Sequence, residues 1–297
     1  MQYRIMKTQT ENNTSTRTRR VYNIARDTSW QKERGLLQNN YIAEVEEVVN
    51  QKNESLGYAS FLQNALIPGK DKLPKIFPHS FVYHSPKEIV SGDFCWLEQV
   101  GDIVFVAAAD CTGHGVPGAL MTIVCSTILT KTVKELGITT PGKILDKVRE
   151  LVIDSFNGSG TDIKDGMDIS LCAINIKTLK IEWSGAHNPL LYFHENEMHE
   201  LLGDRQPIGK HEKYVPFITH TVQLCKEDTI YMFTDGYADQ FGGEKGKKLM
   251  HKQLKQILTT VAQVEITTQK NLLTKVFEEW KGNLEQIDDV MVIGIKL

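Results

Sequence analysis

Residues 91–110 read SGDFCWLEQVGDIVFVAAAD. Two apolar runs flank Gly101-Asp102, a pair suited to a two-residue hairpin turn. A turn at that point fixes the register of both strands. Val100 faces Ile103, each further pair keeps the same sum, and Asp93 falls opposite Asp110. Directly opposed residues on antiparallel strands share a face, with Cβ atoms ~4.5–5.5 Å apart. Two carboxylates in that relation repel each other. The register therefore demands a cation between them or a raised pKa.

The next stretch, GHGVPG at 113–118, has the G-x-G-x-x-G form of a dinucleotide-binding loop. That motif needs a second parallel strand that ends in an acid about 20 residues on. Here a helix-like run over 117–136 is followed by a second helix-like run over 142–156. The strand before the loop is also half of a hairpin, which a parallel crossover unit does not provide. The dinucleotide reading is rejected. The glycines are instead expected to turn the backbone tightly off the strand that delivers Asp110.

Further strand-like runs are 80–84, 168–176, 180–184, 189–193, 217–224, 228–233 and 290–296, and further helix-like runs are 247–261 and 267–281. Strands cluster with strands and helices come in consecutive pairs. This pattern favours an α+β class of antiparallel sheets covered by helices. A helical stripe over 31–66 precedes them, with Leu37, Tyr41, Val45, Val48, Leu56, Ala59, Leu62 and Leu66 at three- and four-residue steps. The polar stretch Asn50–Ser55 interrupts the stripe, and Pro68-Gly69 stops it. Residues 1–30 are polar and read as a flexible leader, with Arg17, Arg19 and Arg20 as solvated charges. The expected organisation is a leader at 1–30, a regulatory or dimerising helix at 31–69 and a catalytic domain at 70–297.

Composition narrows the function. The 297-residue chain is 41% hydrophobic and 24% charged, with net charge −3. No basic footprint for nucleic acid is visible. No apolar run approaches the ~20 residues of a membrane helix, and no secretory signal opens the chain. Five scattered cysteines without CxxC spacing argue against a disulfide framework or a zinc site. A cytoplasmic setting without membrane insertion is expected.

The signature of Asp110 returns elsewhere. TIYMFTDGYAD ends an apolar strand at Asp235, and QIDDVMVIGIKL sets Asp288 and Asp289 before the last strand. No Lys or Arg stands beside these acids in sequence. All-oxygen sites of this kind suit Mg²⁺ or Mn²⁺, and two such ions can generate hydroxide and clamp a phosphoryl group.

The segments PKEIVSGDFCW, AAADCTGHGVPGALMT, GMDISLCAI, SGAHNPLLY, FTDGYADQFGG and QIDDVMVIGI occur in this order. Together they resemble the motif set of the SpoIIE/RsbU-type serine/threonine phosphatases, a bacterial branch of the PPM (type 2C) metal-dependent phosphatases. The resemblance runs from about residue 59 to the C-terminus. It implies an α-β-β-α sandwich, two mostly antiparallel sheets flanked by helices, behind an N-terminal helix. It implies two Mn²⁺ or Mg²⁺ ions on Asp93, Asp110, the carbonyl of Cys111, Asp235 and Asp288, with Asp289 as an outer-shell or alternative ligand. Asp93, Asp110, Asp235 and Asp288 are then the catalytic set, and metal-activated water attacks phosphorus in line without a covalent phosphoenzyme.

The substrate implied is a phosphoserine or phosphothreonine on a regulatory protein such as an STAS-type anti-sigma-factor antagonist. YASFLQNALIP resembles the family's helix that leads into the catalytic domain and switches it. A homodimer through this helix and an upstream sensor domain or protein are implied partners. The alternative is a catalytically silent signalling module that keeps the fold and binds a partner. His114 and His187 stay open between proton transfer and loop structure. Asp168 stays open between orienting a loop and touching a further metal. Cys95 and Gln240 depart from the family pattern without touching the expected carboxylates.

Overall fold

The computed structural model describes residues 2–157, 165–195 and 197–297, and of residues 2–29 and 31 it describes only the backbone. The chain divides into two units, residues 1–55 and residues 56–297. In the first, helix α1 begins at Gln2 and it ends in the second at Leu66. The composition predicts a flexible leader over 1–30, whereas the backbone there is helical. No glycine precedes Gly35 and no proline precedes Pro68, so nothing in the chain breaks the helix. The side chains of Arg17, Arg19 and Arg20 lie outside the described residues. Leu37, Tyr41, Val45 and Val48 of the predicted stripe are exposed.

The second unit continues with α2 (Gly69–Ile76), β1 (Ser80–Ser85), β2 (Asp93–Val100), β3 (Ile103–Cys111), α3 (Gly115–Thr130), α4 (Pro141–Asn157), β4 (Met167–Asn175), β5 (Lys180–Ala186), β6 (Leu190–His194), β7 (Glu197–Leu201), β8 (His220–Gln223), β9 (Thr229–Phe233), α5 (Gly236–Asp239), the short pair β10 (Phe241–Gly242) and β11 (Lys247–Lys248), α6 (Met250–Val261), α7 (Ile266–Lys281) and β12 (Val290–Lys296). Two five-stranded sheets form, in the orders β1-β12-β9-β6-β7 and β2-β3-β4-β5-β8. Every pairing within them is antiparallel.

Alternation along β3 explains the layering. Val104, Val106 and Ala108 point between the sheets, where they meet Val82, Trp183, Met232 and Ile293. Phe105, Ala107 and Ala109 point the other way, onto Met121, Cys125, Ile144 and Val148 of α3 and α4. The outer face of the other sheet carries Tyr83, Tyr231 and Phe233 against Leu254, Leu258, Leu273 and Phe277 of α6 and α7. The result is the expected α-β-β-α sandwich. Because both faces of each central strand are covered, these strands read as continuous apolar runs.

One expectation is corrected. Gly115–Glu135, α3 with the π-helical turn Lys131–Glu135 that follows it, is long and apolar enough by length and composition to cross a membrane. Its apolar character has a local cause: Met121, Cys125, Ile128 and Leu129 fill the core under α4.

Candidate metal centre

The hairpin forms with the expected register: Asp93 stands opposite Asp110, and Val100 opposite Ile103. On the far side of β3, Asp110 stands opposite Asp168. Three aspartates thus lie in one row across β2, β3 and β4. The second sheet adds its own acids at the same end. Asp235 follows the end of β9, and Asp288 and Asp289 precede β12.

Thr234 ties the two sheets together here. Its hydroxyl donates to Asp93 Oδ2 at 2.6 Å and accepts the amide of Met291 at 3.0 Å. Asp289 is bound on both oxygens. Oδ1 accepts the amide of Lys87 and Oδ2 the amide of Gly92, each at 2.7 Å. It holds the loop that enters β2 and so sets where Asp93 begins. Asp288 Oδ1 accepts the amide of Asp289 at 2.8 Å.

The electrostatics are those of acids crowded without a counter-charge. Burial pushes Asp93 well above the carboxylate range, and the nearby Asp289, Asp288 and Asp235 add to this, while the Thr234 hydrogen bond opposes it. Asp110 is pushed up to about 10 by burial and then by Asp93, Asp235, Asp288 and Asp168. Asp235 is raised by burial and by Asp288, and its carboxyl is in hydrogen-bonding contact with Asp110. Asp168 and Asp289 are raised by burial, against the hydrogen bond of His187 and the backbone amides respectively. A set of crowded, buried carboxylate oxygens is a hard donor set that fits Mg²⁺ or Mn²⁺.

A cleft of about 320 Å³ opens on this row, lined by Asp110, Cys111, Gly113, His114, Asp168 and Asp288 among others. The glycine loop shapes its rim. Gly113 has φ +85°, in the left-handed region, and a Cβ on Gly118 would lie 2.2 Å from the Gly113 carbonyl oxygen. The loop therefore folds back on the first turn of α3 with no room for a side chain.

His114 and His187 flank the acids and both are engaged. His114 Nδ1 lies 2.7 Å from Glu88 Oε1, and its Nε2 lies 3.0 Å from Lys87 Nζ. His187 Nδ1 lies 2.8 Å from Asp168 Oδ1. Sequence reasoning missed Thr234, Ser91 and Gln63. Gln63 of α1 donates to the Ser91 carbonyl at 2.6 Å and to Thr122 Oγ1 at 2.9 Å, and Ser91 Oγ accepts the Asp93 amide at 3.0 Å. The signal for Thr234 was its place before Asp235, and Ser91 and Gln63 were marked only by lying inside the segments PKEIVSGDFCW and YASFLQNALIP.

The family model for Stage II sporulation protein E (SpoIIE) matches residues 101–297, more than half of the chain. The chain belongs to the SpoIIE family. The matched region holds Asp110, Asp235, Asp288 and Asp289, while Asp93 lies just before it. Among solved structures, the chain is similar to the SiaA-PP2C domain of Pseudomonas aeruginosa, at 27% identity and TM-score 0.76, covering 84% of this chain and 98% of that one. It is similar in fold to the PP2C phosphatase domain, with a fragment of the regulatory domain, of SpoIIE from Bacillus subtilis, at 17% identity and TM-score 0.58, covering 73% and 61%. The fold also resembles RsbX in complex with magnesium, at 15% identity and TM-score 0.51, covering 73% and 94%. No curated protein sequence matched. The sandwich is thus the PPM phosphatase fold of the SpoIIE family.

Proposed function

We propose that the chain is a metal-dependent phosphoprotein phosphatase. The observation that carries this reading is the row of Asp93, Asp110 and Asp168 on one sheet, faced by Asp235 and Asp288 from the other. Asp93, Asp110, Asp235 and Asp288, with the backbone carbonyl of Cys111, would hold two Mn²⁺ or Mg²⁺ ions. When bound, the ions supply a hydroxide at neutral pH and neutralise the phosphoryl charge. RsbX, similar in fold, is a magnesium complex.

The protein's own groups orient that site. With Oδ2 of Asp93 bound by Thr234, its other oxygen is left for a cation. Asp289 acts through the loop it holds, as a positioning residue. Asp168, held by His187, stands at the open side of the cleft. His114 is committed to Glu88 and Lys87 and braces the rim.

The substrate is a phosphoserine or phosphothreonine side chain on a regulatory protein of STAS type, and the setting is cytoplasmic. A cleft of this size, open at the surface, suits a side chain projecting from a partner. The exposed stripe of Leu37, Tyr41, Val45 and Val48 supports a homodimer through the N-terminal helix, with a sensor domain or protein acting on it. The test is phosphate release from a phosphoserine peptide and from a phosphorylated STAS protein, in Mn²⁺ and in EDTA. Manganese-dependent release from the protein substrate supports the reading. A folded chain that binds the STAS protein but releases no phosphate at any metal level is a silent binding module instead.

A further inference from the structure

A second cavity, about 700 Å³, lies within the same unit over edge strand β1, between the end of α1, α2 and the first turns of α7. It is more than twice the volume of the cleft at the carboxylates. Its chemistry is opposite. Lys70 and Lys270 both line it, and neither makes an ion pair among the described residues. Lys70 Nζ donates only to the side-chain oxygen of Asn64. His84 stands on the wall, near enough to both ammonium groups that they help burial to push its pKa down to about 4. Asp71, exposed to solvent, is the one carboxylate on the wall.

Two ammonium groups on the wall of one cavity, without ion-pair partners among the described residues, make its interior favourable for an anion. An anion there takes charge-assisted hydrogen bonds from them. Lysine binds phosphate as a point charge. The amides of Asn64 and Asn271 offer further donors, and Phe81 and Ile89 give the cavity an apolar side for the rest of a ligand. The volume falls in the ~300–1,000 Å³ range of small-molecule sites. We propose that this cavity binds a small phosphate-bearing molecule between Lys70 and Lys270. The walls include Ser91, whose hydroxyl accepts the Asp93 amide, and Gln63, which donates to the Ser91 carbonyl.

The test uses the full chain freed of metal with EDTA, so that no cation at the acid row can hold the anion. Pyrophosphate is titrated by calorimetry, with succinate as the carboxylate comparison. The expected result is pyrophosphate binding that weakens about 10-fold in Lys70→Ala and in Lys270→Ala, as for loss of one charge-assisted hydrogen bond. Lys270→Glu, at an exposed position, abolishes it while the circular dichroism spectrum stays unchanged. Asp110→Asn binds as the unsubstituted chain does. Absence of pyrophosphate binding, binding unchanged in both lysine variants, or binding of succinate in preference to pyrophosphate overturns the proposal. None of these results depends on phosphatase activity.

Discussion

Strand β9 carries an aspartate just before its start and another two residues past its end, and the two could hardly differ more. At the start, Asp228 Oδ2 accepts the amide of Cys225 and meets His194 Nδ1, both at 2.7 Å. At the end, Asp235 faces Asp288 and Asp110, and its pKa is driven up by burial and by the first of these. The His194, Cys225 and Asp228 ligand atoms even lie within 4.8 Å of one another. What distinguishes the end that carries Asp235 is that its carboxylates have been given each other for company, with a few hydroxyls, backbone amides and one histidine to offset them. Leaving such groups buried without a partner is destabilising, and this supports the proposal that a cation completes the set.

The comparison is broken most severely by removing acids from the end that carries Asp235. Asp110→Asn or Asp235→Asn is expected to lower manganese-dependent hydrolysis of p-nitrophenyl phosphate by at least ~100-fold, beyond the 10–100-fold usual for outer-shell partners. Thr234→Val or Asp289→Asn removes a positioning contact, and the expected effect is about 10–100-fold on manganese affinity. A titration of activity against Mn²⁺ reads this as a shifted midpoint, where loss of a direct ligand lowers the plateau.

The pH dependence of stability sharpens the same contrast. Burial and the neighbouring acids push Asp110 up to about 10, against ~3.9 for an unfolded aspartate. The folded state binds more protons across that window. Its contribution to stability is therefore present below pH ~4 and is lost as pH rises toward the folded value. Thermal unfolding in EDTA should show a midpoint that falls from pH 5 to pH 8. Saturating Mn²⁺ should flatten that decline. A decline that manganese leaves untouched would place its origin elsewhere.

The smallest effect belongs to the other end of β9. Asp228→Ala leaves the Cys225 amide unpaired and is expected to destabilise the chain by about 1–3 kcal/mol. Denaturant unfolding measures this, and the hydrolysis rate per folded molecule should not change.

Much of this contrast was legible in the chain. Gly101-Asp102 between two apolar runs fixed the opposition of Asp93 and Asp110, because a two-residue turn leaves one register. The place of Asp168 in that row was not legible. It depends on how β4 docks on β3 across more than fifty residues of intervening chain, and no short turn sets that register. Strand β7, EMHEL, was missed because an edge strand with polar side chains has no apolar alternation to show. Helix α2 was missed because it is short and holds Pro74, a residue that ordinarily argues against a helix. The positioning roles of Thr234 and Gln63 arise from contacts between segments far apart in sequence, and neither residue type announces them.

The central claim is that the acid row is a cation site, and calorimetric titration of Mn²⁺ into the EDTA-treated chain tests it most directly. The account predicts two ions bound by the unsubstituted chain, with at least one lost in Asp110→Asn and no change in Asp228→Ala. No manganese binding, or equal binding by the unsubstituted chain and Asp110→Asn, would contradict it.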